Sequence, residues 1–251
     1  MEPLIRFGKI CKSFRKEKVL DDLNLDVFPN EIFGLVGRSG SGKSTLMRVL
    51  MGFYKPDSGK IIFEGVDITH DTHAIRKLIG LTTQENSFYD KLTIVENLHY
   101  YGKMYGITSV QLKSRIPQLI ELMQLNGHEH SLAGSISGGM KRRLDFAISL
   151  VHDPPLLILD EPTTGLDPIL RKSIWDIIWR IRGYGKTIII STHFFDELQQ
   201  HCSRIGVLNH GRIIAAASPA QYHKIYPHHS HFSYTFEVLL HQDDQTHKED
   251  K

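Results

Sequence analysis

The most informative stretch of this sequence is Gly37-Arg38-Ser39-Gly40-Ser41-Gly42-Lys43-Ser44-Thr45. An apolar run over residues 32–37 leads into it, and a helical pattern follows from residue 43 to about residue 51. Glycines let the backbone wrap so that several N–H groups point inward, and the start of a helix adds a positive dipole. The stretch therefore predicts a phosphate-binding loop. A chance glycine turn is the plain alternative, which the strand and helix on either side disfavour.

Two side chains of this loop are predicted to contact a bound nucleoside triphosphate. Lys43 supplies a point charge for the β- and γ-phosphates, and Ser44 offers a hydroxyl oxygen to Mg²⁺. The other residues contribute backbone N–H groups and shape. We therefore expect the whole stretch from Gly37 to Thr45 to bind ATP together with Mg²⁺.

Two further apolar runs, residues 156–160 and 187–192, read as buried strands. Near-continuous apolar runs that alternate with helical patterns are typical of a parallel sheet covered on both faces, and hence of an α/β fold. Asp160 and Glu161 end the first of these strands, about 115 residues after Lys43. Ligands of such folds bind at the carboxyl ends of the strands. We therefore predict that Asp160 binds Mg²⁺ and that Glu161 polarises the attacking water; an ordinary strand end is the alternative.

Other parts of the chain have different patterns. Residues 23–28 and 60–65 read as strands of an antiparallel edge sheet. Residues from about 86 to 151 show helical patterns without a convincing strand, which predicts an inserted helical lobe.

The region after Pro227 has two parts. Alternating apolar residues from 232 to 238 predict one more strand, and the polar residues from 241 to 251 predict a disordered tail. Six histidines lie between His223 and His247, with irregular spacing. A metal site is one interpretation of them, and a solvated tail is the one that we expect.

Composition excludes several classes of protein. The chain has a formal net charge of +2, with 41% hydrophobic and 23% charged residues, so we expect a globular protein that does not bind nucleic acid. Its two cysteines, Cys11 and Cys202, are far apart and predict reduced thiols. The sequence shows no secretory signal pattern and no apolar run of the roughly 20 residues that span a membrane. We therefore expect a cytoplasmic protein that would borrow any membrane-spanning part from a partner.

A second glycine motif, within residues 135–143, narrows the class further. Ser137-Gly138-Gly139 opens a helix and combines a hydroxyl, bare backbone N–H groups and a helix N-terminus, which together predict a second anion site. An ordinary N-cap with a glycine turn is the alternative for this motif alone. Because it shortly precedes Asp160 and Glu161, it resembles the signature motif of ABC ATPases.

Further residues match that family in order and spacing, and the resemblance implies their roles. Gln84 matches the glutamine that joins the core to the helical lobe and reaches Mg²⁺ or the water. His193 matches the switch histidine near the γ-phosphate. Phe14, which lies 23 residues before Gly37, matches the aromatic residue on which adenine stacks. Residues 165–167 match the loop that crosses the dimer interface.

Two positions depart from the family's most common signature. Met140 stands where Gln is most frequent, and Ile136 stands where Leu is usual. Ser137, Gly138 and Gly139 are intact, so the resemblance still implies a working site. The form Ser-Gly-Gly-Met-Lys-Arg is similar to the exporter branch with separate membrane subunits, the ABC-2 type.

The resemblance covers about residues 3 to 220 and implies a fold, a function and partners. The implied fold is a P-loop ABC ATPase core over residues 1–231, with an antiparallel β subdomain and the helical lobe; residues 232–251 form the C-terminal strand and polar tail. The implied function is ATP hydrolysis that powers transport, in the export direction, through a separate transmembrane subunit. The implied dimer pairs two copies, or this chain and a similar one, on the inner face of the cell membrane.

Two other functions fit the sequence less well. A soluble ABC ATPase that acts in translation carries two tandem ATPase domains, and one in DNA repair carries a long coiled coil between its nucleotide motifs. This chain has one domain and only about 115 residues between Lys43 and Asp160, without sustained heptads. A nucleotide sensor without turnover is disfavoured because Glu161 and His193 are both present.

The contact with the membrane partner is predicted to lie just after Gln84, in residues 85–92. Phe88 and Tyr89 stand there in a polar, loop-like stretch. An aromatic pair in such a place suits an interface anchor, and two rings packed beneath the loop are the alternative.

Overall fold

The computed structural model describes residues 1–83, 85–228 and 231–249. Within them the strands are, in chain order, β1 (Ile5–Phe14), β2 (Glu17–Val27), β3 (Ile32–Gly37), β4 (Ser58–Phe63), β5 (Val66–Asp67), β6 (Ile79–Thr82), β7 (Leu156–Asp160), β8 (Thr187–Ser191), β9 (Arg204–Asn209) and β10 (Arg212–Ala217). The helices are α1 (Lys43–Leu50), α2 (Thr72–Leu78), α3 (Ile94–Met104), α4 (Ser109–Leu122), α5 (Gly138–Ser149), α6 (Pro168–Gly183), α7 (Phe195–His201), α8 (Pro219–Ile225) and α9 (Phe232–Glu249). The chain divides into two compact units: the first combines Met1–Arg76 with Ile189–Lys251, and the second is Lys77–Ile188.

An antiparallel sheet in the first unit has the strand order β2-β1-β4-β5. Ile5 of β1 pairs with Val27 on one side and with Phe63 on the other. The side chain of Ile5 is fully buried, and those of Val27 and Phe63 are buried with it, so one face of the sheet is apolar. The two antiparallel strands that the sequence predicts therefore exist as β2 and β4, and β1 between them was not predicted.

Strand β3 is the element of the first unit that leads into the glycine-rich loop. It pairs in parallel with β9, from Phe33 opposite Arg204 to Gly37 opposite Leu208, and β9 pairs antiparallel with β10. The side chains of β3 are buried almost throughout, as the continuous apolar run predicts. The fold is α/β, with parallel and antiparallel strand pairs, as expected.

The second unit combines parallel strands with helices. Strands β6 and β7 pair in parallel, from Ile79 opposite Leu156 to Thr82 opposite Leu159. The region predicted as a helical lobe contains α3, α4, a 3-10 turn and α5. Thr93 and Thr108 begin α3 and α4 with capping boxes, in which each threonine hydroxyl accepts the N–H three residues ahead.

The strand predicted over residues 232–238 is wrong, and so is the disorder predicted for residues 241–249; residues 250 and 251 lie outside the described residues. Residues 232–249 form α9 instead. Phe232, Phe236 and Leu240 are buried at a spacing of four, whereas Tyr234 between them is 56% exposed. Over so short a run, the apolar residues fit the period of a strand and that of a helix equally well. Burial of every fourth residue, with Phe236 packed on Phe195, shows that the segment is a helix.

The described residues contain no helix with the combination of length and apolar character that crossing a bilayer requires.

Candidate functional site

The glycine-rich loop has the backbone that the sequence predicts. Gly40 and Gly42 take left-handed conformations, with φ of 80° and 106°. A Cβ atom at Gly42 would lie 2.9 Å from the Val19 carbonyl oxygen, so this position requires glycine. The loop is closed by two backbone hydrogen bonds: Ser41 N–H donates to the Arg38 oxygen at 3.1 Å, and Gly211 N–H donates to the Ser41 oxygen at 3.1 Å.

The side chains of the loop are arranged around the start of α1. Lys43 is the first residue of that helix, and its ammonium donates to the carbonyl oxygens of Gly37 and Arg38, the latter at 2.9 Å. The hydroxyl-bearing Ser44 is exposed, while Thr45 is half-buried. An exposed hydroxyl, a lysine and a helix N-terminus with left-handed glycines before it are the features predicted for a phosphate-binding site.

The loop also contacts the C-terminal helix of the same unit. The Arg38 guanidinium donates to a carboxylate oxygen of Asp244 at 2.8 Å. The other oxygen of Asp244 contacts His210 Nε2 at 2.9 Å and accepts a hydrogen bond from the Asn209 amide at 3.0 Å. These contacts, with that to His210 the largest, hold the pKa of Asp244 well below its ordinary value.

Phe14 and His193 lie in the same unit as the loop. Phe14 ends β1, is 38% exposed, and meets the ring of Tyr54 edge to face at 5.1 Å. The ammonium of Lys12 lies 5.6 Å from the centre of the Phe14 ring. His193 follows β8, is exposed, and packs on Phe194 with ring centres 4.2 Å apart. An exposed ring at Phe14 is compatible with stacking on a base, which stays a prediction.

Asp160 and Glu161 lie in the second unit, at the carboxyl end of β7. Both side chains are partly buried. Glu161 has a positive φ of 49°, which is rare for a residue other than glycine and is frequent at functional sites. One of its carboxylate oxygens accepts a hydrogen bond from the Thr164 hydroxyl at 2.7 Å. The turn after β7 therefore fixes both the backbone and the side chain of Glu161.

The Ser-Gly-Gly motif begins α5 in the same unit. Ser137 is the N-cap, and its hydroxyl accepts the Met140 N–H at 3.3 Å. Ser137 and Gly138 are exposed, and a Cβ atom at Gly138 would meet nothing within 4 Å. Gly139 is buried, and a Cβ there would lie 2.8 Å from a methyl group of Leu170. The exposed helix start has the features predicted for a second anion site.

Gln84 lies outside the described residues, so its predicted role stays a prediction. Its neighbours in the chain are held by two side chains of α5. The Thr83 carbonyl oxygen accepts a hydrogen bond from Arg142 at 2.5 Å, and the Ser87 N–H donates to Asp145 at 2.8 Å.

The sequence interpretation missed Arg142 and Asp145. Both are buried, at 7% and 1% exposure. Burial lowers the pKa of Arg142 and raises the pKa of Asp145 to about 6. The signal lay in the spacing: opposite charges three residues apart occupy the inward side of a helix whose other inward positions, such as Phe146, are apolar.

Comparison with known proteins identifies the family of the chain. Residues 20–164 match the family model described as ABC transporter. The chain belongs to the ABC transporter family. It is an ATP-binding subunit, and such subunits hydrolyse ATP and work with membrane-spanning partners. The predicted resemblance to the ABC family is thereby confirmed.

Named relatives agree with this assignment. The chain is 41% identical to "Nod factor export ATP-binding protein I" of Rhizobium sp. (strain N33) over 86% of this chain and 71% of that protein. It is 39% identical to the protein of the same name from Paraburkholderia xenovorans (strain LB400), over 87% of this chain and 72% of that protein. The structure matches cbiO1 from Clostridium perfringens, part of the ABC transporter complex cbiONQ, with a TM-score of 0.82 and 25% identity over 90% and 92% of the two chains.

Proposed function

We propose that this ABC transporter subunit powers export, and that Glu161 is the base that polarises the attacking water. The observation that carries the proposal is the turn after β7, where a glutamate with a φ of 49° has its carboxylate held by Thr164. A carboxylate is an effective base when its position is fixed, because the water must be within hydrogen-bond reach of it. The direction of transport rests on the named export relatives.

The other predicted residues have complementary roles in this proposal. Lys43 and the backbone N–H groups of the glycine-rich loop bind the β- and γ-phosphates and neutralise their charge. Phe14 stacks on the adenine, and His193 contacts the γ-phosphate. The exposed Ser137-Gly138-Gly139 helix start binds the γ-phosphate of an ATP held by a second subunit.

The oxygen-rich donor set suits Mg²⁺. The Ser44 hydroxyl at the start of α1 and the Asp160 carboxylate at the end of β7 are hard oxygen donors, which Mg²⁺ prefers, and the Gln84 amide oxygen is a third. When bound, Mg²⁺ would neutralise negative charge that develops on the phosphates. We propose these three residues as its ligands, some of them through water.

We propose that two subunits pair, because the family resemblance implies that the glycine-rich loop of each subunit faces the Ser-Gly-Gly motif of the other. With Glu161→Gln, ATP should stay bound because the carboxamide keeps the shape of the side chain without its basicity. ATP with Mg²⁺ should then convert monomer to dimer in light scattering, and ADP with Mg²⁺ should not. A Ser137→Arg variant in the same background should remain monomeric. An unchanged monomer with ATP in the first variant would refute the pairing.

We further propose that the membrane partner docks on the segment after Gln84, which would place the chain on the inner face of the membrane. Phe88 is buried at 9% exposure, whereas Tyr89 is 48% exposed with its ring 5.0 Å from that of Tyr100. The outward ring of Tyr89 therefore supports the role of anchor, and Phe88 supports the loop from beneath.

Membrane fractionation tests this docking surface. Tyr89→Ala should move the chain from the membrane fraction to the supernatant while ATP binding is retained. Tyr184→Ala, which removes a ring that is 72% exposed, is the matched control and should leave the chain on the membrane. Equal retention of both variants on the membrane would contradict the proposed surface.

A further inference from the structure

The guanidinium of Arg142 makes an unusual set of contacts in the second unit. It belongs to α5, the helix that begins with the Ser-Gly-Gly motif, and only 7% of the residue is exposed. Its Nε donates to the backbone carbonyl oxygen of Pro162 at 2.9 Å. One terminal nitrogen donates to the backbone carbonyl oxygens of Asp160 and Glu161, each at 3.2 Å. The other terminal nitrogen donates to the backbone carbonyl oxygen of Thr83 at 2.5 Å.

Three of these four acceptors are the carbonyl oxygens of the consecutive residues 160, 161 and 162. The central residue, Glu161, has a strained backbone conformation. Glu161 has a φ of 49°, a conformation that costs on the order of 1–3 kcal/mol for a residue other than glycine unless the surroundings hold it. A single guanidinium that binds the carbonyls of residues 160, 161 and 162 fixes the peptide planes around Glu161. The direction in which the Glu161 side chain leaves the backbone is fixed with them.

Burial of the Arg142 guanidinium costs free energy, because the charge loses its contact with water. Burial lowers the pKa of Arg142, although a guanidinium remains charged at neutral pH. Replacing buried charges by apolar residues is often neutral or stabilising in proteins, so stability alone is a weak reason for an arginine here. Geometry is a stronger reason, because only a planar fork with five N–H donors can serve several carbonyls in fixed directions.

We infer that Arg142 is a positioning residue for ATP hydrolysis: it holds the left-handed turn that aims the Glu161 carboxylate and ties this turn to Thr83. The inference rests on the proposed role of Glu161 as the base. Arg142 acts through the carbonyls of residues 160–162, so it affects the chemical step and leaves the binding of ATP by the glycine-rich loop unchanged. Thr83 directly precedes Gln84 in the chain, so the same side chain also anchors the backbone immediately before this glutamine.

Two variants of Arg142 and one matched control test the assignment. Arg142→Met removes all four hydrogen bonds, and Arg142→Lys keeps the charge but not the fork. The control is Arg143→Met, since Arg143 is the next residue of the helix and its guanidinium contacts Gln124 and Ser173 instead. ATP affinity and the single-turnover rate of hydrolysis are measured with radiolabelled ATP on each folded variant, beside its thermal unfolding curve.

We expect Arg142→Met to lower the single-turnover rate about 100-fold, with ATP affinity within threefold of the parent. Arg142→Lys should restore part of the rate, and Arg143→Met should hydrolyse ATP at the parental rate. A parental rate in Arg142→Met, or a fall of ATP affinity as large as that of the rate, would overturn the assignment. If Arg142→Met does not fold, the same criteria apply to Arg142→Lys with an expected loss of about tenfold.

A double-mutant cycle separates this inference from the role of Glu161. If Arg142 acts through Glu161, its replacement in a Glu161→Gln background should lower the residual rate by less than twofold. A further loss by the full factor would show that Arg142 acts independently, and only the present inference would fail. A parental rate in Glu161→Gln alone would instead refute the base, and with it the proposed function.

Discussion

Two loops that are proposed to act on ATP, the glycine-rich loop before α1 and the turn after β7, are held in different ways. Backbone geometry holds the first: Gly40 and Gly42 supply left-handed conformations, and its closing hydrogen bonds join backbone atoms. A distant side chain holds the second, since Arg142 lies 19 residues before the left-handed Glu161 whose carbonyl it binds. The motif therefore supplies the left-handed glycines of the first loop, and the contact from Gly211 is made by its backbone, whereas the second loop depends on a particular distant side chain.

Because the two loops are held differently, we expect substitutions in them to impair different steps. Damage to the glycine-rich loop should abolish the binding of ATP, because its backbone N–H groups are the proposed phosphate ligands. Damage around Glu161 should leave binding intact and slow the chemical step.

Gly42→Val should have the largest effect. Gly42 has a φ of 106°, and even a Cβ atom there would lie 2.9 Å from the Val19 carbonyl oxygen, so the loop must distort. We expect ATP affinity to fall about 1,000-fold, or about 4 kcal/mol. Fluorescent-nucleotide titration measures this, with Gly183→Ala as the control because a Cβ at Gly183 meets nothing within 4 Å. Tight binding by Gly42→Val would show that the loop is not the principal ATP site.

Phe236→Ala tests whether the glycine-rich loop depends on α9. Phe236 is 8% exposed and its ring lies 5.0 Å from that of Phe195, so its truncation should lower the free energy of unfolding of the first unit by about 3 kcal/mol. ATP affinity of the folded variant should not change. Tyr234→Ala, on the exposed side of the same helix, is the control in chemical denaturation. Equal losses of free energy of unfolding in the two variants would contradict the helical structure of this segment.

Asp145→Asn tests the electrostatics of the helix that carries Arg142. Burial raises the pKa of Asp145 to about 6, and Arg142 opposes that shift. Because the folded state binds the proton more tightly than the unfolded state, Asp145 favours folding more as pH falls from 7 through 6 towards 4. Asparagine cannot titrate. The free energy of unfolding of Asp145→Asn, relative to that of the parent, should thus fall by on the order of 2 kcal/mol from pH 7.5 to pH 4.5.

Chemical denaturation at several pH values measures that difference. Asp176→Asn is a suitable control, since Asp176 is exposed on α6. A pH-independent difference between Asp145→Asn and the parent would show that the carboxyl group of Asp145 is ionised in the folded protein over the whole range.

Asp244→Asn should have the smallest effect. The ion pair with Arg38 is substantially exposed, with 52% of the arginine side chain accessible, and such pairs contribute about 0–1 kcal/mol. ATP affinity should change less than twofold if backbone hydrogen bonds, and not this ion pair, hold the glycine-rich loop. A tenfold change would show that α9 helps to shape the loop, and the contrast between the two loops would be weaker than we infer.

The parts of the fold that the sequence predicts correctly are those with local causes. The run over residues 32–37, the glycines after it and the run over residues 156–160 each specify their own conformation, and they exist as β3, the glycine-rich loop and β7. Ser137 could likewise be recognised as an N-cap from the residues that follow it.

The parts that the sequence did not predict have causes elsewhere in the chain. Residues 232–238 read equally well with a period of two, and only the contacts of Phe232 and Phe236 with Phe195 favour α9. The burial of Arg142 depends on carbonyls of the turn after β7 and of Thr83, which helical periodicity cannot reveal. The left-handed conformation of Glu161 has no signature in its own side chain.

The proposed roles of the two loops are tested most directly by measuring ATP affinity and single-turnover hydrolysis in Glu161→Gln and in the parent. We expect Glu161→Gln to have an affinity within threefold of the parent and a rate at least 100-fold lower. Glu121→Gln, at an exposed position of α4, should match the parent in both measurements. A parental rate in Glu161→Gln, or a loss of affinity equal to the loss of rate, would contradict the assignment of binding to one loop and hydrolysis to the other.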